Sequence, residues 1–210
     1  MLKQRSSREI QELLQVASAG DESALAELFA HYKDQLRRIV AFRLDSRLKG
    51  RVDPSDILQE AFIDLLKRLP EFPEKNMSFF VWLRLVTNER VLACHREHLN
   101  TQKRDPRREQ RIQPAYSGAS SVLLAAHLMG NFSSVAGKAI QAEQNAKLQA
   151  ALDSMDAIDR EVIALRIFEG LTNGEAAEVL ELTKQTTSKR FIRAIRRLRE
   201  ILSTIPGFNE

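Results

Sequence analysis

Seven cations, Lys184, Lys189, Arg190, Arg193, Arg196, Arg197 and Arg199, stand between residues 184 and 199 with no acid before Glu200. A solvated helix ordinarily mixes signs to gain i,i+4 pairs, so a single-sign run forfeits that support and suits a polyanion. Gln185, Thr186, Thr187 and Ser188 fall at the start of the same run. Short hydrogen-bonding side chains there match the end of a helix that enters a DNA major groove. The chemistry would be phosphate neutralisation and base readout, with no covalent step. A helix that is merely soluble is the competing reading of the same charges.

Three other groups invite chemistry. Residues 53 to 66 hold four acids and no base. Asp53, Asp56 and Glu60 could surround magnesium as in a nuclease, dock a basic protein surface, or form an ordinary solvated face. Cys94, His95 and His98 are close enough along a helix to share a metal, but no fourth ligand is evident and the spacing matches no zinc pattern. Phe79, Phe80 and Trp82 crowd four positions beside basic and amide residues. Aromatic and cationic side chains together suit unstacked bases, each stacked base being worth about 1–3 kcal/mol, and equally suit a buried core. There is no glycine-rich phosphate loop and no nucleophile in a recognisable motif, so no cofactor is implied.

The elements that must carry these residues read as helices throughout. Ser6 with Glu9 makes a capping box, Ile10, Leu13, Leu14 and Ala17 recur at helical spacing, and Gly20 ends the helix. Asp21 starts a second helix whose apolar face, Leu25, Leu28, Phe29, Tyr32, Leu36, Ile39 and Val40, runs toward Arg47 to Gly50. Asp53-Pro54-Ser55-Asp56 is a strong helix start, with Ile57, Leu58, Ala61, Phe62, Leu65, Leu66 and Leu69 facing a core. Two prolines, Pro70 and Pro73, argue for a loop before Ser78 caps the aromatic helix. Near the other end, Thr172 with Glu175 caps a short helix, Glu181-Leu182 breaks it, and Thr183 caps the basic helix with its stripe Phe191, Ile195, Leu198, Leu202. That is a helix-turn-helix.

The 210 residues, 43% of them apolar, suffice for one or two globular domains. The formal charge of +4 is modest but segregated, since nine acids oppose three bases between residues 143 and 181, just before the basic helix. A single cysteine excludes an internal disulfide framework and suits a reducing cytoplasm. No apolar run approaches the length of a membrane span and no signal peptide opens the chain, so membrane insertion is not expected. The reading is all-α: two small helical domains, 1–98 and 147–210, joined by a flexible basic linker over 99–146. Within that linker Val122 to Met129 is unexpectedly apolar, fitting either a short helix on one domain or a segment that orders elsewhere.

Four stretches carry a family resemblance: Ala19-Gly20-Asp21-Glu22-Ser23-Ala24, Asp53-Pro54-Ser55-Asp56-Ile57-Leu58-Gln59-Glu60-Ala61-Phe62, Ser78-Phe79-Phe80-Val81-Trp82-Leu83, and Asp159-Arg160-Glu161-Val162 through Phe168-Glu169-Gly170-Leu171-Thr172. In that order and spacing the chain resembles an RNA polymerase sigma factor of the extracytoplasmic-function type, and its long linker resembles the subfamily common in planctomycetes and verrucomicrobia. The resemblance implies a sigma factor that binds core RNA polymerase and directs promoter-specific initiation. It puts Asp56, Gln59 and Glu60 on the clamp coiled coil of the largest subunit, and the C-terminal domain on the flap and the upstream −35 element through Lys184, Gln185, Thr186, Thr187, Ser188, Lys189, Arg190, Arg193, Arg196 and Arg197. It assigns the downstream −10 element to Asn76, Phe79, Trp82, Arg84, Asn88, Arg90 and Arg96, implies an anti-sigma factor as a further partner, and requires no catalysis. Two residues depart from the family pattern: Glu181 replaces the usual Gly at the helix-turn-helix corner, and Thr187 replaces a usual Val. The alternative from another class is a helix-turn-helix regulator that binds DNA as a dimer without polymerase.

Overall fold

A computed structural model describes residues 6–75, 77–99, 121–130 and 138–203. Among these residues the regular structure is helical and no strand forms. The chain divides into two compact units, Met1–Ser117 and Gly118–Glu210.

In the first unit, α1 (Ser7–Ser18) opens on the expected capping box: Glu9 N–H donates to Ser6 Oγ at 3.3 Å and Ser6 N–H to Glu9 Oε2 at 2.7 Å. Gly20, at φ +100°, makes the reversal that a side chain would oppose, and Asp21 caps α2 (Glu22–Arg43) through Ser23 and Ala24 N–H. The second helix stops at Arg43, short of the expected Arg47 to Gly50, where a 3₁₀ turn over Ser46–Leu48 takes over. Asp53 caps α3 (Pro54–Arg68) with Pro54 at its first position. The two prolines do not leave a loop: Leu69–Glu74 is a 3₁₀ helix. Proline removes a donor that an α-helix would need, but the shorter turn tolerates it and brings Phe72 back against the core.

The last helix of this unit, α4 (Phe79–Leu99), packs against both α2 and α3. Phe79, Phe80, Val81, Trp82, Leu83, Val86, Val91 and Leu92 are all buried, so α4 is apolar nearly all round in its first half and runs through the core. Phe72 and Trp82 rings lie 5.1 Å apart, Phe72 and Phe79 5.2 Å, and Tyr32 meets Phe80 at 5.1 Å. At the far end of α4, His95 Nε2 accepts the Asp45 N–H at 3.0 Å. That bond needs a neutral ring, and burial pushes the His95 pKa below its ordinary 6.5. The Arg47 guanidinium, bonding Asp45 Oδ1 and Oδ2, holds that carboxyl at about 2. Because the unfolded ring takes its proton near 6.5 and the folded ring resists until lower pH, stability is full above 6.5 and declines below it. A melting temperature that falls between pH 7.5 and pH 5.5, with a shallower fall in His95→Gln, is the expected result.

In the second unit, α5 (Ser121–Gly130) packs on α6 (Lys138–Asp153), burying Leu124, Ala125 and Leu128. The apolar stretch in the expected linker is therefore a helix on the C-terminal unit, and α6 also begins inside the expected linker, at Lys138. Arg160 Nη1 donates to the carbonyls of Leu152 and Met155, closing the end of α6. α7 (Ala157–Ile163) passes into a five-residue π turn, Ala164–Phe168, that the sequence did not announce.

Then come α8 (Asn173–Leu180) and α9 (Lys184–Leu202). Thr172 and Glu175 form the capping box, and Thr183 Oγ1 accepts Thr186 N–H at 3.1 Å to start α9. The corner between them needs a left-handed residue, and Glu181 supplies it at φ 53° while Leu182 N–H reaches back to Ala177 O. A side chain in that region is strained, so Glu181→Gly is expected to raise stability by a net of about 0.5–1 kcal/mol, read as a higher Tm.

Candidate nucleic-acid and partner interface

α9 leans on α7 and α8 with Thr187, Ala194 and Leu198 buried. Asn173 Nδ2 donates to Lys184 O at 2.9 Å, fastening the first turn of α9 to that of α8. The opposite face is a cationic surface: Lys184, Gln185, Lys189, Arg193, Arg196, Arg197 and Arg199 are exposed, and Thr186, Ser188 and Arg190 partly so. Among the described residues no carboxylate pairs with Lys184, Lys189 or Arg199. Helix and turn thus hold a field of positive charge whose counter-charge must come from outside.

Four of the residues expected on DNA have bonds within the protein. Thr187 has no exposed surface and its Oγ1 donates to Thr183 O at 3.1 Å, so it packs and cannot touch a base. Arg190 and Arg193 both bond the carboxylate of Asp159 on α7, and Arg197 Nη2 donates to Ser154 O at 3.0 Å. Arg193 remains about half exposed, so it is held without being removed from the surface. Ile192, which sequence reasoning passed over, is 63% exposed among these cations. Its signal was its phase: it stands off the Phe191, Ile195, Leu198 stripe, and an apolar side chain on a charged face suits a thymine methyl group.

In the first unit, α3 presents Asp56, Gln59 and Glu60 to solvent, and Ile63, half exposed, one turn beyond them. An apolar residue thus stands beside the acids on one exposed face of α3. Asp64, on the neighbouring face, bonds Arg90 of α4, whose Nη1 also lies 3.9 Å from Glu60. Arg68 Nη1 meets Glu89 Oε2 at 2.6 Å across the same pair of helices. Arg90, expected at the downstream element, is therefore an α3–α4 tie with about a third of its side chain exposed.

The residues expected at the downstream element do not form an open site. Phe79, Trp82, Arg84 and Asn88 are each 5% exposed or less. Only Arg96 is open to solvent, and Asn76 lies outside the described residues. The physical reason is that α4 has no polar face where the aromatics lie; α2 and α3 cover it from two sides. Cys94 is buried, His95 accepts its backbone bond and His98 is exposed, and among the described residues no group of three His, Cys, Asp or Glu is arranged to hold a metal. Among them, too, no helix is long and apolar enough to cross a membrane.

Comparison with known proteins bears on the whole chain. A family model described as ECF sigma factor matches residues 7–201. The ECF RNA polymerase sigma factor BldN of Streptomyces coelicolor is 24% identical over 196 residues, which span 93% of this chain and 67% of that one. The ECF RNA polymerase sigma factor SigK of Mycobacterium bovis is 24% identical over 198 residues, 94% of this chain and 96% of that one. In fold, the chain is similar to CnrH, solved in complex with the cytosolic domain of CnrY, at a TM-score of 0.54 and 21% identity, with 93% of this chain and 98% of that one covered.

Proposed function

The chain belongs to the ECF sigma factor family, and from that premise we propose how its two units divide the work of a sigma factor that binds core RNA polymerase and directs promoter-specific initiation. The acid face of α3, with Asp56, Gln59 and Glu60, docks on a basic surface of the polymerase clamp. The cationic face of α9 reads the upstream promoter element through Lys184, Gln185, Thr186, Ser188, Lys189, Ile192, Arg193, Arg196 and Arg197. Arg96 contributes to the downstream element; Phe79, Trp82, Arg84 and Asn88 support that region from inside. The observation that carries the reading is the separation of charge: an exposed acid face lies on one helical unit and an exposed cationic helix on another. DNA repels the first and attracts the second, so the two surfaces must serve different partners.

The protein acts in the cytoplasm, where polymerase and promoters are, and performs no catalysis of its own. An anti-sigma protein is its proposed regulator. Run-off transcription tests the reading: purified bacterial core polymerase, with and without the chain, on the promoter of the chain's own operon and on genomic fragments. A transcript that requires the chain supports it. No transcript from any template together with no binding to core rejects it in favour of a helix-turn-helix regulator that works alone.

A further inference from the structure

Asp159 stands in the first turn of α7, 6% exposed, yet what it holds is on α9. Its Oδ1 accepts Arg190 Nη1 at 2.8 Å and Arg193 Nη2 at 3.0 Å, and its Oδ2 accepts Arg193 Nη2 at 2.8 Å and Nε at 3.2 Å. Arg193 thus gives its Nε–Nη2 edge to the carboxylate while 52% of its side chain stays exposed. A guanidinium has five N–H donors in a planar fork, so the Nη1–Nη2 edge is left for a second acceptor pair.

We propose that Asp159 is a positioning residue for DNA readout: it fixes the plane of Arg193 so that the outer edge meets the O6 and N7 acceptors of a guanine in the major groove. The inference rests on the reading of α9 as the DNA-reading helix and goes one residue deeper. Phosphate is the other bidentate acceptor on DNA, and the charge balance decides against it. A phosphate contact needs positive charge, whereas here one buried carboxylate offsets half the charge of the two arginines it touches. Giving up charge to gain direction benefits only a partner that is recognised by geometry, as a base edge is. Asp159 touches no DNA itself. The discrimination it confers would pass through Arg193, the more exposed of the two arginines it holds.

The test uses the full chain bound to core polymerase and a pool of duplexes randomised across the upstream element. Wild type, Asp159→Asn, Arg193→Lys and the double variant are each taken through selection. Affinity is then measured for the selected duplex and for a scrambled one over a range of salt. Wild type should enrich a motif containing a guanine that Arg193→Lys no longer distinguishes. Asp159→Asn should lose discrimination at that same position by about ten-fold. Its affinity for scrambled DNA should hold or rise, with a salt slope steeper by about one, because a negative charge has gone. The double variant should discriminate at that position no worse than Arg193→Lys alone. Undiminished discrimination by Asp159→Asn overturns the inference and leaves the reading of α9 standing. So does a parallel loss of specific and scrambled binding together with a lowered Tm, which would make Asp159 a structural tie only. Arg193→Lys guards against a variant that does not fold, since it keeps the charge and leaves α7 intact; wild-type discrimination in it overturns the inference as well. A wild-type chain that enriches no motif overturns both.

Discussion

Asp56→Arg combined with Glu60→Arg is expected to abolish co-purification of the chain with core RNA polymerase while leaving its circular dichroism and Tm nearly unchanged. Both side chains are exposed on α3, and neither supplies its cap, which comes from Asp53. Glu60 lies 3.9 Å from Arg90 and is 64% exposed, an arrangement that contributes little to stability. The fold therefore loses almost nothing. The partner surface loses two attractive contacts and gains two repulsive ones, and like-charge juxtaposition across an interface costs several kcal/mol. A loss of about 3–5 kcal/mol would weaken binding by roughly two to four orders of magnitude. Retained binding at moderate salt would move the dock away from α3. Ile63→Ser should weaken binding with little change in salt dependence, since apolar contact is not screened.

Trp82→Ala is expected to cost about 3–5 kcal/mol, the range for emptying a large aromatic site in a packed core. The readout is a lowered Tm and denaturation midpoint of the free chain, with no DNA present. Trp82 is 2% exposed and wedged between Phe72 and Phe79, at 5.1 and 5.8 Å. Were it a base-stacking side chain, the same change would leave the free protein as stable as before and damage only promoter opening. Trp82→Phe separates packing from polarity. The indole N–H is buried with no acceptor among the described residues, so Phe should cost less than Ala. By contrast Arg96→Ala, at an exposed position, should leave the stability within about 0.5 kcal/mol of wild type and act on DNA alone.

Local chemistry was the legible part of this chain. The capping boxes Ser6/Glu9 and Thr172/Glu175, the Asp53-Pro54 start and the Thr183 cap each involve residues within three positions of one another, and each is where the pattern placed it. The corner at Glu181 came from the family resemblance, which puts Gly there, and Glu181 takes the left-handed conformation at φ 53°. What failed was what depends on partners far along the chain. Arg84 and Asn88 look like a polar face on α4 until α2 and α3 close over them, and Arg90 looks free until Asp64, on another helix, is beside it. Thr187 is the instructive miss, since its burial was available from phase alone. Extending the buried stripe one turn back from Phe191 lands on it, and its hydroxyl is satisfied within its own helix. The apolar run in the supposed linker carried its own evidence too, for ten residues of that hydropathy need a surface to cover, and α6 provides one.

The π turn at Ala164–Phe168 bears on how such a protein can change its target. Glu169 N–H donates to Ala164 O, a bond spanning five residues, so the helix there holds one residue more than an α turn would. Each residue of an α-helix advances the chain by about 100° around the axis. One surplus residue therefore turns everything downstream, including the start of α8 and with it α9, by more than a quarter of a revolution relative to α7. The aim of the basic helix is in that sense an indel-controlled quantity: losing a single codon in this stretch would redirect it further than any exchange of side chains on its surface.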